Sequence, residues 1–207
     1  VISKLNRLSP AVIAIDLTFV NNSTYDDDLR LLTAIEACKS LVMASAILRY
    51  REVEGDHDFE GYMYQTEPHF LLNAKTGFVN ALGGHDTENS LSKFSTYVKV
   101  NGEIEYHFSV RTAMVYDSLK AFEFVKGNPK IVTVDYKDGK RKFKTFSSSY
   151  VRDGKLVHED ISQKIVMLGF LGPGDEDKFF TPLNSNSGRP DMYGLEYLAN
   201  VVSQVLE

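Results

Sequence analysis

Apolar and polar positions divide the chain into two parts of different rhythm. Ile2, Leu5 and Leu8 recur at the three-residue spacing that places side chains on one face of a helix. Pro10 disfavours helix in the residue before it, so this first helix ends at Ser9-Pro10. Ala11–Phe19 is then almost continuously apolar and rich in Val and Ile, the pattern of a strand buried on both faces of a parallel sheet. Asp26, Asp27 and Asp28 open a predicted helix whose apolar side carries Leu31, Leu32, Ile35 and Cys38. Ser40–Leu48 repeats the buried-strand pattern. Strand, helix and strand within about 40 residues make a βαβ unit with a right-handed crossover.

Beyond Arg49 the rhythm is lost until about Ser90, with short strands predicted at Phe59–Tyr64 and Thr76–Ala81. Hairpin signals follow. Asn101-Gly102 separates Tyr97–Val100 from Glu103–Val110, and Asp138-Gly139 separates Ile131–Lys137 from Lys140–Phe146. Asp153-Gly154 is a third candidate turn. Between the hairpins, Val115, Leu119, Phe122 and Val125 predict one helix that Gly127 can close. Lys164–Gly169 reads as another strand. A last helix, Tyr193–Leu206, has Leu195, Leu198, Ala199, Val202, Val205 and Leu206 along one stripe that should pack on that strand. The predicted fold is a single α/β domain over residues 1–207. It has a mixed β-sheet with flanking helices, a βαβ start and a hairpin-rich second half.

Composition adds limits. The chain has 43% hydrophobic and 25% charged residues, the balance of a globular domain. Its net charge of -5 argues against nucleic acid or anionic lipid as a partner. Cys38 is the single cysteine, which excludes an intrachain disulfide and is compatible with cytoplasm or bacterial periplasm. No apolar run approaches the ~18 residues of a membrane span. The chain starts at Val1 and its last helix runs to Glu207 without a cap, so it reads as a piece of a longer protein.

No complete catalytic set is present. Asp16 stands at the carboxyl end of a predicted buried strand, where open α/β sheets place ligands. With Asp26, Asp27 and Asp28 it could bind a divalent cation and serve a metal-dependent hydrolase; equally, the triplet can simply cap its helix. An aspartyl-phosphatase reading of Asp16 fails because the position two residues on is Thr18, not an acid. Arg111 stands where a strand gives way to a helix and could pair with Asp16 or the triplet, or grip an anion. Asp56-His57-Asp58, His69 and His85-Asp86 are metal-capable types, read as solvated loop residues. Cys38 fits core packing, Ser147-Ser148-Ser149 a turn, and the basic run Lys140, Arg141, Lys142 and Lys144 a solvated face. Gly169, Gly172 and Gly174 could cradle an anion, but no phosphate-loop Lys-Ser/Thr follows.

Six segments together resemble one family: Ile13-Ala-Ile-Asp16, Asp27-Asp28-x-Leu, Arg111, Val166-Met-Leu-Gly169, Asp177-Lys-Phe-Phe-Thr-Pro182 and Gly194-Leu-Glu-Tyr-Leu-Ala199. Their order is similar to that of the type-two CHASE domain, an extracytoplasmic sensor segment of bacterial membrane receptors. Leu198 stands where that pattern has a histidine, and the strand that usually precedes the first helix is missing. The resemblance implies a non-enzymatic sensor of a small-molecule or environmental signal. It would lie in the periplasm, tethered to the membrane by segments outside this chain and possible as a homodimer within the receptor. Asp16, Asp28, Arg111 and Asp177 are then the candidate ligand-binding residues, with no metal or cofactor expected. A structural ectodomain that mediates assembly is the other alternative.

Overall fold

A computed structural model describes residues 1–53, 58–82, 90–139, 142–184 and 188–207. The βαβ start is present: α1 (Ile2–Asn6), β1 (Val12–Ile15), α2 (Tyr25–Glu36) and β2 (Leu41–Val53), with Ile13 opposite Leu41 in a parallel pair. Successive residues of β1 and β2 serve opposite faces, as strand geometry requires. Val12, Ala14, Val42 and Ala44 join one core cluster, and Ile13, Ile15, Leu41 and Met43 the other. Burial on both faces is why these strands read as continuous apolar runs.

β1 ends at Ile15, four residues short of the predicted Phe19, and β2 runs past Leu48 to Val53. One cause explains both. β3 (Asp58–Gln65) pairs antiparallel with β2 from Ser45 to Val53, and β4 (Ala74–Phe78) pairs parallel from Leu41 to Ser45. A strand has two edges. β4 holds one, so β1 and β3 share the other end to end. The chain leaving β1 is fastened there: Phe19 N–H donates to Thr66 Oγ1 at 3.0 Å.

β5 (Lys93–Ser95) precedes the hairpin of β6 (Tyr97–Val100) and β7 (Glu103–Tyr106). Asn101 (φ 51°) and Gly102 (φ 88°) form its predicted turn. The second strand stops at Tyr106 rather than Val110, because His107 caps α3 (Phe108–Tyr116). The single helix expected through Val115–Val125 is two. Asp117 breaks it and caps α4 (Ser118–Gly127) by accepting from Lys120 N–H at 3.1 Å. Leu119 and Phe122 are accordingly exposed rather than part of an apolar stripe.

The Asp138-Gly139 hairpin does not form. β8 (Ile131–Thr133) pairs antiparallel with β5, where Phe94 and Val132 are buried together, and Lys137–Gly139 makes a 3-10 turn. The arm that would have paired forms no strand over 142–146, where Phe146 packs against the second core cluster instead; Lys140 and Arg141 lie outside the described residues. Asp153-Gly154 closes α5 (Ser148–Arg152) instead of a hairpin, with Gly154 N–H donating to Val151 O. α6 (His158–Ile161), β9 (Ile165–Leu168), β10 (Lys178–Phe179), β11 (Met192–Tyr193) and α7 (Gly194–Leu206) complete the chain.

The main sheet is mixed and runs β7-β6-β3-β2-β1-β9, with β4 on the far edge of β2. Helices cover both faces, and the architecture is a single α/β domain. α3 and α7 pack on one face through Phe108, Val110, Leu198, Val201 and Val205. α1, α2, α5 and α6 cover the other through Leu5, Ile35, Val151 and Ile161. Each such side chain contributes roughly 1.5–3 kcal/mol of burial. A bridge between Phe78 and His107 brings β4 against the end of β7, and Ile47, Phe59, Val98 and Val100 pack with Phe78 in a third cluster.

Candidate functional site

The parallel pair β1–β9 ends at Asp16, whose N–H donates to Leu168 O at 2.7 Å. Gly169 follows β9, and its missing side chain is a packing requirement. A Cβ there would lie 2.9 Å from Leu195 Cδ1 and 3.3 Å from Asp16 Cβ. The first turn of α7 therefore rests on the end of β9 beside Asp16, as the stripe pattern predicts. Glu196 fixes that turn by accepting from Tyr193 N–H at 3.2 Å.

The 175–182 turn ties the strand to the helix. Gly194 N–H donates to the Asp177 backbone carbonyl at 2.9 Å, and Tyr193 OH donates to Gly172 O. A Cβ on Gly194 would lie 3.4 Å from both Asp177 carboxylate oxygens, so that carboxylate faces the start of α7. Asp177 makes its local hydrogen bond through its main chain rather than its side chain. Thr181, fully buried, donates from Oγ1 to Asp191 at 2.6 Å and from N–H at 2.8 Å. Asp191 was not legible as a site residue: it sits in a polar loop, and only its partner Thr181 stands in a motif.

Asp16 and Asp177 both flank the first turn of α7, Asp16 beside Gly169 under Leu195 and the Asp177 carboxylate facing Gly194. Burial pushes the Asp16 carboxyl up to about 6, with the Asp177 charge adding to it. Burial also raises Asp177. The repulsion between two like-charged, half-buried carboxylates favours a proton on Asp16, which stands at the carboxyl end of β1, the edge at which open α/β sheets bind ligands.

Asp28 and Arg111 lie elsewhere. Thr24, not the triplet, caps α2: its Oγ1 accepts from Asp27 N–H at 3.3 Å, the three acids fill the first turn, and the Asp28 carboxylate accepts from Ser23 N–H at 3.0 and 3.1 Å. The metal-hydrolase arrangement is corrected by this: among the described residues no group of three or more His, Cys, Asp or Glu can hold a metal ion. Arg111 does not pair with Asp16 or the triplet. Its Nε donates to Thr76 O at 3.0 Å, its guanidinium lies 4.7 Å over the Tyr106 ring, and its charge acts with Glu105. Glu176 occupies the space over Gly174, which opposes an anion in that turn. Cys38 is buried and donates to Ala34 O, and Ser147 caps α5. His69 packs on Phe70 and Asp58 lies near Lys99; Asp56, His57, His85 and Asp86 are outside the described residues.

His107 is a residue the sequence did not mark. It is fully buried between Phe78, Phe94 and Tyr197, its Nε2 has no hydrogen-bond partner among the described residues, and burial pushes it down to about 3. No sequence signal distinguishes it, since His is not a usual helix cap.

The fold is that of a single α/β domain whose strands β1 and β9 end side by side at the first turn of α7. The chain belongs to the CHASE2 domain family, the type-two CHASE domains, whose family model matches residues 1–207. That is a family of sensory domains that stand outside the cytoplasm in membrane receptors. No curated protein and no solved structure matches the chain. Among the described residues no helix is long and apolar enough to cross a membrane.

Proposed function

We propose that this chain is the ligand- or environment-sensing domain of a bacterial transmembrane signal-transduction receptor. It is held in the periplasm by segments outside residues 1–207, and a second copy of the receptor is its partner. The observation that carries this reading is the family match over the whole chain. The physical support is the 175–182 turn, which links the Asp16–Asp177 crevice to the N-terminus of α7. Occupancy or packing at the crevice shifts the turn, and α7 carries the shift as a lever. No reaction is assigned to the domain.

The test is made in the receptor that carries the domain, on the basal activity of its intracellular kinase or cyclase module. Asp177→Ala changes that output while the melting temperature of the 207-residue chain stays near wild type. Unchanged output at unchanged stability contradicts the relay. Sustained phosphatase, esterase or peptidase turnover by the chain, lost in Asp16→Ala, would overturn the non-enzymatic reading.

A further inference from the structure

β9 is an edge strand: the main sheet ends there, and β1 is its neighbour on the inner side. The ladder between them fixes which way its backbone groups point. Val12 and Asp16 donate to the carbonyls of Lys164 and Leu168, so the even-numbered residues of β9 face β1. The N–H and C=O groups of Ile165 and Met167 therefore point away from the sheet. None of these groups has a hydrogen-bond partner among the described residues.

The space along this edge is a cavity of about 540 Å³. Every residue from Lys164 to Gly169 lines it, although Ile165 and Met167 pack on one face of the sheet and Val166 and Leu168 on the other. The cavity thus wraps the strand's edge from both faces. Leu195 and Ala199 of α7 wall one side, and Leu5 of α1 and Ile161 of α6 the other. Charged side chains in the wall are engaged: Lys144 with Asp160, Lys164 with the carbonyls of Glu159 and Asp160, and Glu196 with Tyr193 N–H.

An occupant has two requirements to meet. Backbone donors and acceptors left unpaired beside apolar walls are costly, and hydrocarbon alone does not satisfy them. Their alternating partial charges are complemented by another extended backbone. The size agrees. With ~3.3 Å of rise, ~4.8 Å between strands and ~10 Å between layers, one strand residue takes about 160 Å³, so the cavity holds about three residues beside the four of β9. A second copy is poorly suited to bring its own β9 within the ~4.8 Å of a paired strand, because helices on both faces wall the edge.

We propose that the edge of β9 binds an extended apolar segment of another polypeptide. That segment adds a strand to the sheet and buries its side chains between α7 on one face and α1 and α6 on the other. Its successive residues are apolar, because both sides of the slot are, and it carries no proline where it pairs with Ile165 and Met167. The proposal goes beyond the sensor reading and does not depend on it.

The probe is a soluble peptide of four alternating Val and Ile residues between paired lysines, added to the 207-residue chain. It slows amide hydrogen exchange at Ile165 and Met167 about tenfold, and changes Val166 and Leu168, already bonded to β1, far less. The same peptide N-methylated at its four apolar residues keeps its hydrocarbon but loses its donors, and its affinity falls about tenfold. Met167→Pro removes an outward N–H that the β1 ladder does not use, so it weakens the peptide and spares the fold. Ala199→Trp fills the slot from α7 and weakens the peptide without altering β9.

Equal affinity for the two peptides, tighter binding of dodecanol than of the peptide, or no protection at Ile165 and Met167 in a chain with its wild-type melting profile overturns the proposal. Protection of those amides without peptide in a concentration-dependent dimer assigns the edge to a second copy. Their protection without peptide in the intact receptor assigns it to another segment of the same protein, and either result also overturns the proposal. The sensor reading is tested separately, by the receptor output of Asp177→Ala.

Discussion

Asp16 is the residue at which sequence and structure meet most closely. Its position at the end of a buried strand is legible in Ile13-Ala-Ile-Asp16; its proximity to Asp177, 161 positions further on, is a product of the fold. A carboxyl whose folded value is raised from 3.8 to about 6 binds its proton more tightly in the native state. Its contribution therefore improves as pH falls through 6 toward 3.8, and the ionised group costs up to ~3 kcal/mol above that window. Asp16→Asn should raise the melting temperature at pH 7–8 and have little effect near pH 4. A variant destabilised at neutral pH would show that the carboxylate has a stabilising partner. Thr181 makes the opposite case. Thr181→Val leaves the Asp191 carboxylate short of a hydrogen bond and should cost about 1–3 kcal/mol in urea denaturation. Asp177→Ala, by contrast, should fall within about 1 kcal/mol of wild type.

Elements that depend on local pattern were legible, and those that depend on distant pairing were not. The βαβ start, the strand at Ile165–Leu168 and the stripe of α7 follow from periodicity within one segment. So does the β6–β7 turn, where Gly102→Val should cost about 1–2 kcal/mol by equilibrium unfolding because the position is left-handed. Asp138-Gly139 carries the same turn signal but loses to β5, which offers β8 a buried partner. The break between α3 and α4 was also hidden, since Asp117 is a helix stop only when its carboxylate turns to cap the next helix. On α7, Val202 is buried, and Val202→Asp should destabilise the domain by more than about 3 kcal/mol. Near-wild-type stability of that variant would displace α7 from the sheet.

At the scale of the molecule, two buried groups give stability opposite slopes with pH. His107 has a folded value pushed down to about 3, so below its ordinary 6.5 the unfolded chain binds a proton that the native state refuses. Its contribution is complete above 6.5 and is lost as pH falls toward 3, while that of Asp16 improves over part of the same range. His107→Gln should flatten the acid limb of the stability curve measured by urea denaturation. The Gly194-Asp177 and Thr181-Asp191 bonds tie the 175–182 turn to the start of α7 and to the segment before it, the connection on which the proposed relay rests in a family of sensory domains.

The central claim is that this unit faces the outside of the cytoplasmic membrane, and one labelling measurement tests it directly. Within residues 1–207 the one cysteine, Cys38, is buried, whereas Tyr62 is 71% exposed, and the receptor without the added cysteine measures the background. With Tyr62→Cys in the protein that carries this domain, a membrane-impermeant maleimide small enough to cross the outer membrane should label intact cells as fully as lysed ones. Labelling that appears only after lysis would place the domain in the cytoplasm and contradict the account.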